Sequence, residues 1–186
     1  MHSSTLALSV ISESIEDIIV TYIINAAQLT LNRYDSLNYW LMKSEPNVYG
    51  IEHLERDRVT IWDGVRNYQA RNFLKSMQVG DRAFFYHSNT NPPGIVGLMQ
   101  IVAAQVIDPS QFDLDGDYYD PKSTPAAPRW HTVKVEFIRT FDNAITLATL
   151  RETFTPERLL VVKQGNRLSV MPIVDVVAAE ILQLAG

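Results

Sequence analysis

The 186-residue chain is 46% hydrophobic and 20% charged, the balance of a globular domain with a real core, which excludes global disorder. It contains no cysteine, which excludes disulfides, zinc–thiolate sites and thiol nucleophiles and suits a cytoplasmic location. A net charge of −5 excludes a broad electrostatic grip on a polyanion, because such binding leaves a basic footprint.

The charge is unevenly spread. Residues 1–38 hold Arg33 against Glu13, Glu16, Asp17 and Asp35, and residues 108–120 carry five aspartates and no basic side chain. The rest of the chain therefore has a small positive balance, enough for a local basic face.

Residues 1–38 read as an N-terminal extension, a helix or a tail. Ser14-Ile15-Glu16-Asp17 resembles a capping box, and Ile15, Ile18, Ile19, Tyr22, Ile23 and Ala26 follow at helical spacing. The β-branched run over 18–24 leaves a strand open. Acidic residues before the apolar run argue against a signal peptide, and the apolar stretches are too short to span a membrane.

The domain proper is expected over 39–186. Residues 39–42 predict a strand, stopped by Lys43-Ser44-Glu45-Pro46. Residues 50–57 predict a short helix and 65–77 a longer one, with Asp63 as its N-cap and Val65, Tyr68, Phe73, Leu74 and Met77 facing inward. A strand over 83–86 follows the Gly80-Asp81 turn. Residues 89–94 predict a loop, and 95–106 a long strand in which Gly97 marks a bulge or a close approach.

Residues 108–128 predict a long Asp-, Pro- and Ser-rich loop. Residues 132–141 alternate as a half-buried strand does, 147–154 and 173–184 predict helices, and 168–171 a last strand. About six strands with helices between them make an α+β, barrel-like fold.

His2, His53, His87 and His131 share no metal-ligand spacing, so no metal or cofactor is expected. Asp113-Leu114-Asp115-Gly116-Asp117 fails as a calcium loop, having Tyr118 where the loop needs Gly and Thr124 where it needs Glu. His87 and Ser88 are neighbours on a strand and point to opposite faces, so they do not form a base–nucleophile pair. Nothing in the chain anchors an enzyme.

Trp62 to Asn72 is the richest segment. An aromatic precedes a glycine turn, and Arg66, Asn67 and Arg71 enter a helix whose first amides suit an anion or carbonyl. Trp130 ends a Pro-rich loop. Two tryptophans beside strand ends, together with Lys43, Ser44, Tyr86 and Ser88, suit a stacking pocket, where each stacked base contributes about 1–3 kcal/mol.

These segments resemble the EVE domain of the PUA-like superfamily. The resemblance rests on Tyr39 to Pro46, Trp62 to Asn72, Phe84 to Asn89 and Gly94 to Met99. Tyr119 to Ser123, Pro128-Arg129-Trp130 and Arg167 to Pro172 continue it in order.

The resemblance implies a PUA-like fold, a small mixed β-barrel of five to six strands flanked by helices and related to the YTH readers of methylated adenine. It implies a non-enzymatic module that reads a modified nucleobase, such as a 5-modified cytosine, in DNA or RNA that is single-stranded or has the base flipped out. Trp62 would be one aromatic wall and Trp130 the other, with Lys43, Ser44, Asn67, Tyr68, Tyr86 and Ser88 completing the pocket. Arg66, Arg71 and Arg167 would contact phosphates, and the acidic 108–120 loop would point away. The alternative is a sensor or enzyme acting on a free modified nucleoside.

Overall fold

A computed structural model describes residues 37–186; the helix-or-tail reading of the extension lies outside the described residues. In chain order the elements are β1 (Tyr39–Ser44), α1 (Pro46–Tyr49), α2 (Ile51–Asp57), β2 (Val59–Ile61), α3 (Tyr68–Ser76), β3 (Arg82–His87) and β4 (Gly94–Ile107). After a 3-10 turn (Pro109–Phe112) come β5 (His131–Thr146), α4 (Leu147–Thr153), a second 3-10 turn (Leu160–Val162), β6 (Val170–Ile173) and α5 (Asp175–Ala185).

The six strands form one mixed sheet in the order β2-β5-β4-β3-β1-β6. Only β1 and β3 run parallel, with Trp40 beside Ala83 and Ser44 beside His87. The barrel-like sheet is not closed, because β2 and β6 remain its two edges.

Strand alternation drives two cores, one on each face. Trp40, Met42, Phe85, Met99 and Val135 join Leu54 and Leu74 on one side. Leu41, Phe84, Leu98, Phe141 and Met171 join Leu150, Val177 and Ile181 on the other. Phe84, Phe85, Leu41 and Leu74 are fully buried, each contributing about 1.5–3 kcal/mol.

The long β4–β5 ladder bends through several register shifts, one of them between Ile95 and Gly97. A side chain at Gly97 would meet the Arg139 carbonyl oxygen at 2.6 Å and Ile51 Cδ1 at 3.0 Å. The close approach expected at this glycine is therefore real: α2 and β5 both rest on it.

Helix α3 starts later than its apolar spacing suggests. Its N-cap is Asn67, not Asp63: the Asn67 side-chain oxygen accepts from the amides of Gln69 (2.9 Å) and Ala70 (3.0 Å). Tyr68 thus becomes the first helical residue and lies 49% exposed rather than inward.

Candidate functional site

A cleft of ≈ 1510 Å³ opens at the carboxyl ends of the parallel pair β1 and β3. Lys43, Ser44 and Glu45 line it from β1, Ser88 and Asn89 from the end of β3, and residues 60–67 from the segment that leaves β2. Tyr118, Arg167 and Ser169 enter from two loops.

Trp62 is fixed firmly in this wall. Its amide donates to the Val133 carbonyl (3.0 Å) and its carbonyl accepts from the Thr132 hydroxyl. The ring stands edge-on to Phe85 at 5.2 Å and is 7% exposed. Gly64 then turns the chain with φ +77°, a left-handed conformation that glycine adopts without strain. The Tyr118 ring lies 2.8 Å from where a Cβ on Gly64 would sit, so this glycine also seats a second aromatic at the cleft.

Lys43 forms no ion pair or side-chain hydrogen bond among the described residues, and its ammonium lies 5.7 Å from the Tyr86 ring centroid. Burial pulls its pKa below the usual lysine value, because desolvation disfavours the charged form. Arg167 is exposed on the opposite loop, which is stitched to β1 by the Lys43 amide donating to the Ser169 carbonyl at 2.8 Å.

Asp63 also lines the cleft, with its carboxyl pushed above the ordinary aspartate value. Desolvation is the main cause and the nearby Asp108 carboxylate the second.

Arg66 is at the cleft but is already engaged. It pairs with Asp108 at 2.7 Å and donates to Ser110 Oγ (2.9 Å) and the Tyr118 carbonyl. Asp108, 1% exposed, further accepts from the Gly64 amide (3.1 Å) and the Ser110 hydroxyl (2.6 Å). The acidic loop therefore folds back onto the cleft instead of pointing away, and delivers Tyr118 to it. Asp113, Asp115 and Asp117 within it are exposed to solvent.

The structure brings together Lys43, Ser44, Trp62, Arg66, Asn67, Ser88 and Arg167. It does not bring Tyr68, Tyr86, Trp130 or Arg71 to the cleft. Strand alternation turns Tyr86 into the second core, where it is 3% exposed.

Trp130 is 5% exposed, with Tyr68 stacked on it at 5.0 Å and Arg66 and Arg71 over its ring at 5.2 and 5.6 Å. Its indole N–H donates to Asp120 at 2.7 Å. That bond and the Lys122 amide hold the Asp120 carboxyl below the usual range, the amide being the larger cause. Arg71 donates to the Arg129 carbonyl (3.1 Å) within this cluster.

Gln111, fully buried, ties the cluster to β5. It donates to the Asp108 and Trp130 carbonyls and accepts from the Arg129 and Trp130 amides.

His87 and Ser88 point elsewhere than at each other. His87 Nε2 accepts from the Ile51 amide (3.1 Å), and burial lowers its pKa; the Ser88 hydroxyl donates to the Ser44 carbonyl (3.3 Å).

Sequence reasoning missed Tyr118, Asp63, Tyr49 and Thr60 as cleft residues. Tyr118 carried no signal beyond being an aromatic in an acidic loop. Asp63 had one in its place beside Trp62, but was read as a cap.

The EVE domain model matches residues 38–184. The chain is 42% identical to human thymocyte nuclear protein 1 over 154 residues, which is 73% of this chain and 68% of that protein. A crystal structure of a Pseudomonas syringae protein, 44% identical, superposes with a TM-score of 0.76 over 80% of this chain and 99% of that one. The human THYN1 protein in complex with 5-methylcytosine-containing DNA, 41% identical, superposes with a TM-score of 0.73 over 80% of this chain and 97% of that one. No helix among the described residues is long and apolar enough to cross a membrane. The chain belongs to the EVE domain family.

Proposed function

We propose that this protein is a reader of modified nucleobases, with the cleft at the ends of β1 and β3 receiving a 5-modified cytosine from DNA or RNA. The observation that carries the reading is Trp62. It is a firmly held aromatic lining a cleft whose rim offers Lys43 and Arg167, cations without an acidic partner among the described residues. A human relative that is 41% identical forms a complex with 5-methylcytosine-containing DNA, which supports the choice of base.

Stacking and edge hydrogen bonds would read the base, and a few cations would position the strand. Recognition rather than catalysis fits the state of the two best candidate reacting groups. His87 Nε2 is occupied by the Ile51 amide, and the Ser88 hydroxyl by the Ser44 carbonyl.

The test is titration with matched oligonucleotides, modified and unmodified, of increasing length. Binding is expected to favour the modified strand and to strengthen with length, which a site for a free nucleoside would not do. Trp62→Ala is expected to weaken binding by about 1–3 kcal/mol while the protein still melts cooperatively. Undiminished affinity in a folded Trp62→Ala protein removes Trp62 from the pocket.

A further inference from the structure

Asp63 directly follows Trp62 and precedes the Gly64 turn, and it lines the cleft as a partly exposed residue. The other acid of the cleft, Glu45, accepts from the Asn89 amide at 3.0 Å. Among the described residues no side chain donates to the Asp63 carboxyl; its own backbone N–H is the one donor facing it. Arg66, the nearest cation, is drawn off by Asp108 at 2.7 Å. Asp63 is therefore a carboxyl with open hydrogen-bonding capacity, placed beside an aromatic wall.

A base stacked on Trp62 presents its edges sideways, toward the residues that flank the ring. Cytosine offers there a ring nitrogen that accepts, N3, next to an exocyclic amine that donates, N4. A carboxylic acid complements that pair, with its hydroxyl donating to N3 and its carbonyl accepting from N4–H. A carboxylate does not, because its lone pairs face that of N3. We propose that Asp63 reads the Watson–Crick edge of cytosine in the cleft, forming a two-point pair that holds one shared proton between the carboxyl and N3. This rests on the reading of the cleft as a base pocket.

The surroundings shift Asp63 toward its protonated form relative to a carboxyl in water. Desolvation and the Asp108 carboxylate both raise the Asp63 pKa, while its own amide and Arg66 pull weakly the other way. The remaining charged or titratable groups lining the cleft are Lys43, Glu45, Tyr49, Tyr118 and Arg167.

Binding is then linked to the uptake of one proton. The pKa of the pair is higher in the complex than that of Asp63 in the free protein. Affinity falls as pH rises above the free value, approaching tenfold per pH unit until the pKa of the pair is passed. A substituent at C5 leaves N3 and N4 in place, so Asp63 sets base identity and other cleft residues sense the modification.

The test measures affinity for a single-stranded 5-methylcytosine oligonucleotide, and for its unmethylated match, from about pH 5 to about pH 8. Wild type, Asp63→Asn and Asp63→Ala are compared. Wild type should weaken with rising pH.

Asp63→Asn presents the same donor and acceptor without a titrating proton, so its profile should be flat and its affinity should exceed wild type at the alkaline end. Asp63→Ala should bind at least tenfold more weakly than wild type at the acid end, with the methylated-to-unmethylated ratio unchanged. Any pH effect from His87 is common to all three proteins and cancels in the comparison.

An Asp63→Asn protein that keeps the wild-type slope overturns the proposal, as does an Asp63→Ala protein that binds like wild type. Absence of binding by wild type at every pH would instead defeat the base-pocket reading itself.

Discussion

Arg66 and Arg167 both reach the cleft, and their surroundings give them different work. The Arg66 side chain is one-fifth exposed and meets Asp108, whose side chain is 2% exposed, at 2.7 Å. Its remaining donors go to Ser110 and the Tyr118 carbonyl. Removing it leaves a buried carboxylate with only the Gly64 and Ser110 donors and frees the loop that carries Tyr118. Arg66→Ala is therefore expected to lower stability by about 2–3 kcal/mol, since orphaning a buried charge costs far more than losing an exposed one. Arg167 is exposed and unpaired among the described residues. Arg167→Ala should leave stability within about 0.5 kcal/mol and reduce the salt dependence of nucleic-acid binding by about 0.7 of a unit of slope on a single strand. Chemical denaturation and salt titration of the two variants check this; a destabilised Arg167→Ala beside an unchanged Arg66→Ala would reverse the two roles.

In helix α3 one side chain both caps the element and lines the cleft. The Asn67 Oδ1 is taken by the Gln69 and Ala70 amides, so only its Nδ2 is free to face a base edge. Asn67→Ala removes both groups and should cost about 1 kcal/mol of stability. Asn67→Asp keeps an equally good cap and removes the donor. If Nδ2 reads the base, Asn67→Asp will melt like wild type yet lose preference for the modified strand; unchanged preference would leave Asn67 as a cap alone.

Elements of this kind divide by how much of their cause is local. β5 was legible because alternation over many residues reports burial on a pleated surface, and β1, β3 and β4 because apolar runs bounded by turn residues mark buried strands. β2, three residues long, has too few positions to show a period and exists through its pairing with β5, Val59 beside Glu136. The start of α3 was misplaced because Asp63 and Asn67 are both good caps by type, and the Gly64 turn that separates them is set by Tyr118 and Asp108 from elsewhere in the chain. The site divides the same way. Lys43, Ser44 and Ser88 sit at ends of legible strands and Trp62 stood out as an aromatic before a glycine turn, whereas Tyr118 arrives on a loop whose path depends on Arg66, Gln111 and Asp120.

At the scale of the whole molecule, the proposed base reader, a chain of net charge −5, would have to hold a polyanion. Among the described residues four arginines are paired with acids: Arg66 with Asp108, Arg129 with Asp120, Arg158 with Glu180 and Arg56 with Asp57. At the cleft this leaves Lys43 and Arg167 as the cations without an acidic partner among the described residues, alongside the acids Glu45 and Asp63. Two neutralised phosphates on a single strand give a slope of log affinity against log salt near −1.4, because each contact releases about 0.7 of a counterion. Affinity should then fall only about sevenfold between roughly 50 and 200 mM salt, where a protein making 6–10 phosphate contacts loses about 10³–10⁵. The greater part of the binding would survive high salt, since stacking on Trp62 and hydrogen bonds to base edges are not ionic. Measuring affinity across that salt range decides the matter. A slope steeper than about −4 would require a broad basic face that the cleft does not possess, and would place the main nucleic-acid contact elsewhere on the molecule.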